Sequence, residues 1–124
     1  MDAKPYKINY YNNVECKNVD WLWYIGAKKV KESDLIKAIS NYLKTVPNLF
    51  FWKEHGGMYG TAGIPDLIVC YKGRFIGLEC KVGKNTATAL QQQTIRQILK
   101  AGGNAVVVKS IGEVKAIIQA FEKE

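Results

Sequence analysis

The chain has 124 residues, 18 Lys and Arg against 11 Asp and Glu, a formal net charge of +7 and 48% hydrophobic residues. That length fits one compact domain, and the positive balance points to an anionic partner, with nucleic acid ahead of membrane. No apolar run approaches the ~20 residues of a membrane span, the first residues lack the apolar region of a secretory signal, and three Cys without CxxC spacing describe neither a disulfide framework nor a zinc site, which suits a reducing cytoplasm.

Residues 1–30 carry Tyr6, Tyr10, Tyr11, Trp21, Trp23, Tyr24 and Ile25, too aromatic for a disordered tail. They read as an arm of short strands whose aromatics cover the domain's own core or form a subunit contact. Residues 31–124 read as the folded domain. Its first helix runs over residues 31–45, where Leu35, Ile36, Ile39, Tyr42, Leu43 and Val46 recur at helical spacing, and Pro47-Asn48 stops it. Residues 49–53 form a short apolar strand. Residues 55–63 contain four Gly and read as a loop. Two strands follow at 66–71 and 74–81, joined by a tight turn at Lys72-Gly73. After a loop at 82–87, a helix spans 88–101 and ends at Gly102-Gly103. Residues 105–108 (AVVV) predict a parallel strand buried on both faces, and Ser110-x-x-Glu113 is a capping box for a last helix. The order is arm-αβββαβα, an α/β sandwich on a small mixed sheet with a right-handed crossover between residues 75 and 108.

Charge is distributed unevenly. Between His55 and Gly112 there are seven bases and two acids, Asp66 and Glu79. If Lys72-Gly73 is the central pair of a two-residue hairpin, opposed residues have numbers summing to 145, and these two acids face each other. Opposed like charges destabilise a sheet; a divalent cation between them reverses the sign, and hard oxygen donors suit Mg²⁺ or Mn²⁺. Glu79 and Lys81 share a strand face, while the Cys80 backbone carbonyl between them is a further candidate ligand. A three-residue loop would shift the pairing and separate the acids.

Other candidates follow from helical spacing. Glu32 shares the inward face of Leu35, Ile36 and Ile39, a position equally natural for a first-turn acid favoured by the helix dipole. Gln91 shares the inward face of Ile95 and Ile98, but Thr88-x-x-Gln91 is also a capping box, and Gln92 and Gln93 compete with it. Lys84, Arg96, Lys100 and Lys109 are candidate phosphate contacts and His55 a candidate substrate contact, although each taken singly is more often a solvated surface group. Only Arg74 and Arg96 are arginines. The Lys bias suits phosphate contacts better than the reading of base edges.

Glu32, then Gly63-Ile64-Pro65-Asp66, then Glu79-Cys80-Lys81, then Gln91 ahead of Gly102-Gly103 together resemble the VRR-NUC family of the PD-(D/E)xK nuclease superfamily. The resemblance covers roughly residues 32–110, with residues 1–30 outside it. It implies a restriction-endonuclease-like αβββαβ core and Mg²⁺- or Mn²⁺-dependent phosphodiester cleavage. By position Asp66 and Glu79 match the metal-binding acids, Lys81 the catalytic lysine, Glu32 the first-helix acid and Gln91 the supporting glutamine. Cys80 replaces the usual aliphatic residue, which should spare a carbonyl ligand.

Stand-alone members of this size resemble Holliday-junction resolvases and tend to be homodimers, many from phages and bacteria. The expectation is therefore a structure-selective DNA endonuclease acting at branched junctions, homodimeric, in the cytoplasm of a bacterium or phage-infected host. Against it stand a non-catalytic DNA-binding module with the same fold and a flap-trimming or restriction-type nuclease.

Overall fold

The computed structural model describes residues 30–55 and 60–124, together with the backbone of two short strands, β1 (Lys7–Asn9) and β2 (Val14–Cys16). These strands pair antiparallel, with Lys7 opposite Cys16. The aromatic residues of the arm, Tyr6, Tyr10, Tyr11, Trp21, Trp23 and Tyr24, lie outside the described residues, as does Ile25. The remaining elements are α1 (Glu32–Leu43), β3 (Leu49–Lys53), β4 (Leu67–Tyr71), β5 (Arg74–Cys80), α2 (Ala89–Lys100), β6 (Asn104–Val108) and α3 (Ile111–Glu122). Among the described residues no helix is long and apolar enough to cross a membrane.

The larger sheet has the order β3-β4-β5-β6, with the first three strands antiparallel and β6 parallel to β5. This is a mixed four-stranded α/β sandwich of the restriction-endonuclease-like kind. Strand parity decides which side chains meet which helices. Leu67, Val69 and Tyr71 of β4 share a face with Ile76, Leu78 and Cys80 of β5. That face packs against Leu35, Ile36, Ile39 and Leu43 of α1 and Val114 and Ile118 of α3. Fully burying an aliphatic side chain of this size contributes about 1.5–3 kcal/mol, so this side of the sheet supplies most of the core. The apolar side of α3 is used here.

The opposite face is covered less well. It carries Ile68, Gly77 and Ala105, and α2 packs over β6 on that side. No residue of α2 is fully buried, and Leu90 and Leu99 are about half exposed. Strand β6 is parallel as anticipated, and Ala105 and Val108 are buried on its two faces. It lies at the sheet edge, and Val106, on the Leu78 face, remains 37% exposed. The capping box is displaced by one residue. Ser110 Oγ accepts from the Glu113 N–H, but Glu113 Oε1 accepts from the N–H of Lys109.

Two glycines bring the loop before β4 into place. Gly63 has φ +85°, and a Cβ there would lie 2.8 Å from Thr94 Oγ1 and 2.9 Å from Leu90 Cγ of α2. At Gly77 a Cβ would lie 2.8 Å from Cγ of the fully buried Pro65 ring. The ring next to Asp66 therefore rests on bare β5 backbone. Gly77→Ala should destabilise the protein by about 1–3 kcal/mol through this overpacking, measured by urea unfolding. It should also displace Asp66, so that divalent-ion binding weakens more than stability alone explains.

Candidate active site

The site begins with the hairpin. Lys72 and Gly73 have φ +52° and +74°, the doubly positive pair of a type I′ turn, whose twist matches that of the flanking strands. The register runs Tyr71 opposite Arg74, Val69 opposite Ile76 and Leu67 opposite Leu78. Each pair sums to 145, as the two-residue turn predicts. One step beyond the ladder, Asp66 faces Glu79. Strand β4 begins at Leu67 and β5 ends at Cys80, so the two acids sit where the hairpin opens.

Backbone contacts hold this opening. Asp66 Oδ2 accepts the Cys80 N–H at 2.8 Å, and the Asp66 carbonyl accepts the N–H of Glu54 at 2.8 Å. The Lys81 N–H donates to the Val108 carbonyl at 3.0 Å, which ties the end of β5 to β6. In an antiparallel pair a residue's N–H and C=O point to the same neighbour. The Cys80 carbonyl therefore shares the Asp66 side of β5, where it was expected as a ligand.

Glu79 is 2% exposed, and Lys81 is also buried. The Lys81 Nζ lies 3.6 Å from Glu79 Oε2. Burial, the Asp66 charge and a hydrogen bond shared with the Asp66 carboxyl push Glu79 up to about 7, against the opposing pull of Lys81. Glu79 thus retains a proton in a range where free carboxyls have lost theirs. Burial first, then Asp66, Glu79 and Glu32, push the Cys80 thiol upward, so this thiol is no thiolate ligand. The expectation that Cys80 contributes its carbonyl fits that chemistry.

Glu32 approaches the same strand end without joining the pair. Its carboxylate accepts from Asn85 Nδ2 at 3.5 Å. Helix α1 lies on the face toward which Cys80 points, whereas Glu79 and Lys81 point to the other. Among the described residues no three His, Cys, Asp or Glu side chains form a metal-holding group. The opening offers two carboxylates and a carbonyl, a set that could hold Mg²⁺, which keeps much of its water and binds through one or two carboxylates plus phosphate.

The peripheral candidates separate. Gln91 is half-buried and makes the capping box, its Oε1 accepting the Thr88 N–H at 2.8 Å and its own N–H donating to Thr88 Oγ1 at 3.2 Å. Gln92 Nε2 donates to the Ala87 carbonyl, and Gln93 is exposed. Lys109 does not project freely: its Nζ donates to the carbonyls of Gly83 and Asn85 at 2.8 and 3.2 Å, pinning the loop after Lys81. Lys84, Arg96, Lys100 and His55 are exposed.

Two neighbours of the pair were missed. Extending the β3–β4 register places Glu54 opposite Asp66, and Trp52 Nε1 donates to Glu54 Oε1 at 2.9 Å. The signal was present in the strand period, but it needed the β3–β4 pairing, which no tight turn specifies.

Several solved structures resemble this chain. A protein described as "VRR_NUC domain protein" shares 26% identity, with a TM-score of 0.60 over 77% of this chain and 91% of its own. A second, described as "VRR_NUC domain", shares the fold at 23% identity and a TM-score of 0.59, over 71% of this chain and 94% of its own. No protein-family model matches the sequence, and a search of curated proteins gives no match. With the ordered motifs, these neighbours support assignment to the VRR-NUC family.

Because the Glu79 pKa is raised in the folded protein, folding takes up a proton between the ordinary carboxylate range and about 7. This group's contribution to stability therefore falls as pH rises through that window. Metal-free protein should lose thermal stability between pH 5 and 7.5, and Glu79→Gln should flatten the loss. Mg²⁺ or Mn²⁺ should raise Tm more at pH 7.5 than at pH 5. A metal-free Tm that climbs over this interval in the wild type but not in the variant would contradict the assignment.

Proposed function

We propose that this VRR-NUC-type chain is a divalent-metal-dependent DNA endonuclease that recognises DNA by shape and acts at four-way (Holliday) junctions. The observation that carries the reading is the buried Glu79 set against half-buried Asp66, with Lys81 beside it. Two carboxyls set against each other are unfavourable when both are charged, and a divalent cation between them would reverse that sign. Asp66, Glu79 and the Cys80 carbonyl would hold Mg²⁺ or Mn²⁺, with Glu32 acting from the adjacent helix end. When bound, such an ion polarises the phosphoryl oxygen and lowers the pKa of a water.

The chain's own groups do the rest. The Lys81 ammonium, buried beside Glu79, is aimed where negative charge grows on the phosphoryl oxygens and orients the attacking water. The backbone bond from Cys80 to Asp66 keeps one carboxylate in place. Gln91, once released from its cap, could reach the same end of the sheet. Lys84, Arg96 and Lys100 contact the phosphate backbone, which positions DNA without reading its sequence. Lys109 acts indirectly, by holding the loop that carries Lys84.

Cutting both strands of a symmetric junction needs two sites, most simply related by a two-fold axis, so the enzyme acts as a homodimer. The arm, residues 1–30, supplies the contact, since the apolar side of α3 is spent on the core. Its setting is the cytoplasm of a bacterium or of a phage-infected host. One observation favours a second reading, a non-catalytic DNA-binding module: no third acid closes on the pair among the described residues.

Purified protein should nick a synthetic four-way junction with Mg²⁺ or Mn²⁺, and Lys81→Ala should slow nicking by about 10²-fold or more while leaving DNA binding intact. Asp66→Asn should abolish nicking and weaken metal binding. Binding without cleavage of junctions, flaps and duplexes, with either metal, would sink the nuclease reading in favour of the binding module. Sedimentation should show a dimer.

A further inference from the structure

The sheet face that carries Glu79 and Lys81 also carries a row of exposed aromatic rings. Phe50 and Trp52 alternate along edge strand β3, and Phe75 lies on β5; they are 65%, 45% and 42% exposed. The Phe50 and Trp52 ring centroids are 6.0 Å apart. Three large exposed aromatics on one face are an unusual allocation of apolar surface in a chain this small. Helix α2 borders that part of the sheet through Ile98 but does not bury the rings.

Among these rings is a cleft of about 280 Å³, lined by Trp52, Phe75, Pro65 and Ile68, with Glu54 and Thr61 among its polar groups. It adjoins the candidate active site through Pro65 and Glu54. Pro65 precedes Asp66 directly. Trp52 pairs with Ile68, two residues from Asp66, or about 7 Å along the strand. Glu54 faces Asp66 and accepts the indole N–H at 2.9 Å, which fixes the ring's orientation.

We propose that this cleft receives an unpaired nucleobase of the DNA strand whose phosphate sits at Asp66 and Glu79, with Trp52 as the stacking platform. The inference rests on the nuclease reading and names its substrate class: DNA with an unstacked base beside the cut, as at a branch point or in a single strand. The cleft's chemistry selects a base over the other parts of a nucleotide. The Glu54 carboxylate repels phosphate, whereas base edges present N–H donors that it can accept. The apolar walls take a flat uncharged ring. A base inside a duplex is already stacked and is excluded. An apolar partner surface fits less well, because it would strip water from the Glu54 carboxylate without supplying donors.

The test is fluorescence anisotropy without divalent metal, using a labelled single-stranded oligothymidylate, an abasic-spacer oligomer of the same length and a duplex. Trp52→Ala should weaken oligothymidylate binding by roughly 5- to 150-fold, as loss of one stacked base would, and leave the abasic oligomer and duplex unchanged. Trp52→Phe should recover most of the loss. Trp52 is half exposed, so both variants should fold, checked by circular dichroism. Wild-type affinity in Trp52→Ala overturns the proposal, as does an equal loss on the base-bearing and abasic oligomers. A switch from dimer to monomer in Trp52→Ala also overturns it, by giving the patch to a second copy of the chain. Trp52-dependent binding in a protein that cleaves nothing keeps the stacking site and removes the nuclease reading. Cleavage with Trp52-independent binding does the reverse.

Discussion

A two-residue turn underlies everything at the active end of this molecule. Lys72 and Gly73 both adopt positive φ, and that geometry allows only one pairing of β4 with β5. The register places Asp66 against Glu79. A slip of a single residue would turn one acid toward the apolar core and leave the other behind. Holding a non-glycine residue such as Lys72 in the left-handed region is costly, about 1–2 kcal/mol. The C-terminal helix helps to hold the turn. Lys72 Nζ donates to the Glu122 carbonyl, Arg74 pairs with Glu124, and the Arg74 guanidinium lies over the Phe121 ring. The far end of the chain thereby secures the register that builds the site.

The two sheet faces divide the work. One is closed by α1 and α3 and supplies the core. The other is only partly roofed by α2, and it bears Glu79, Lys81, Trp52 and the cleft. A buried carboxyl next to another carboxyl is an unfavourable arrangement, which the raised Glu79 pKa records. The closed face stabilises the domain enough to tolerate it. Destabilised clusters of this kind concentrate at functional sites, where the same interactions serve binding and chemistry.

Charge and chemistry separate along the same lines. The acids are few and internal, at the hairpin mouth, while most of the bases between His55 and Gly112 are external. A Lys-rich surface of this kind suits long-range attraction of a polyanion and carries little base information. What selectivity the site has must then come from shape, and the uncovered aromatics beside Asp66 offer a physical means for it.

The sequence alone determined the helical stretches, the strands and a tight turn at Lys72-Gly73, and it set Asp66 opposite Glu79 on condition that the turn has two residues; the fold decided that register. These rest on local periodicity and turn chemistry, with interactions spanning few residues. It also determined that Lys81 shares a face with Glu79, because strand parity is unconditional. Tertiary structure alone decided the rest. Strand β6 was read as parallel and buried on both faces, which Ala105 and Val108 bear out; that it lies at the sheet edge with Val106 partly exposed was decided by the fold. Glu32 was placed on an inward face correctly, but α1 packs on the side opposite Glu79, so helical phase could not reveal that it stays apart from the pair. Gln91 and Lys109 carry the right chemistry, yet a capping box and two loop carbonyls engage them. Glu54 and Trp52 went unnoticed because the loop joining β3 to β4 is long. Pairing across such a loop is set by packing of the whole sheet, and only the folded chain brings those residues beside Asp66.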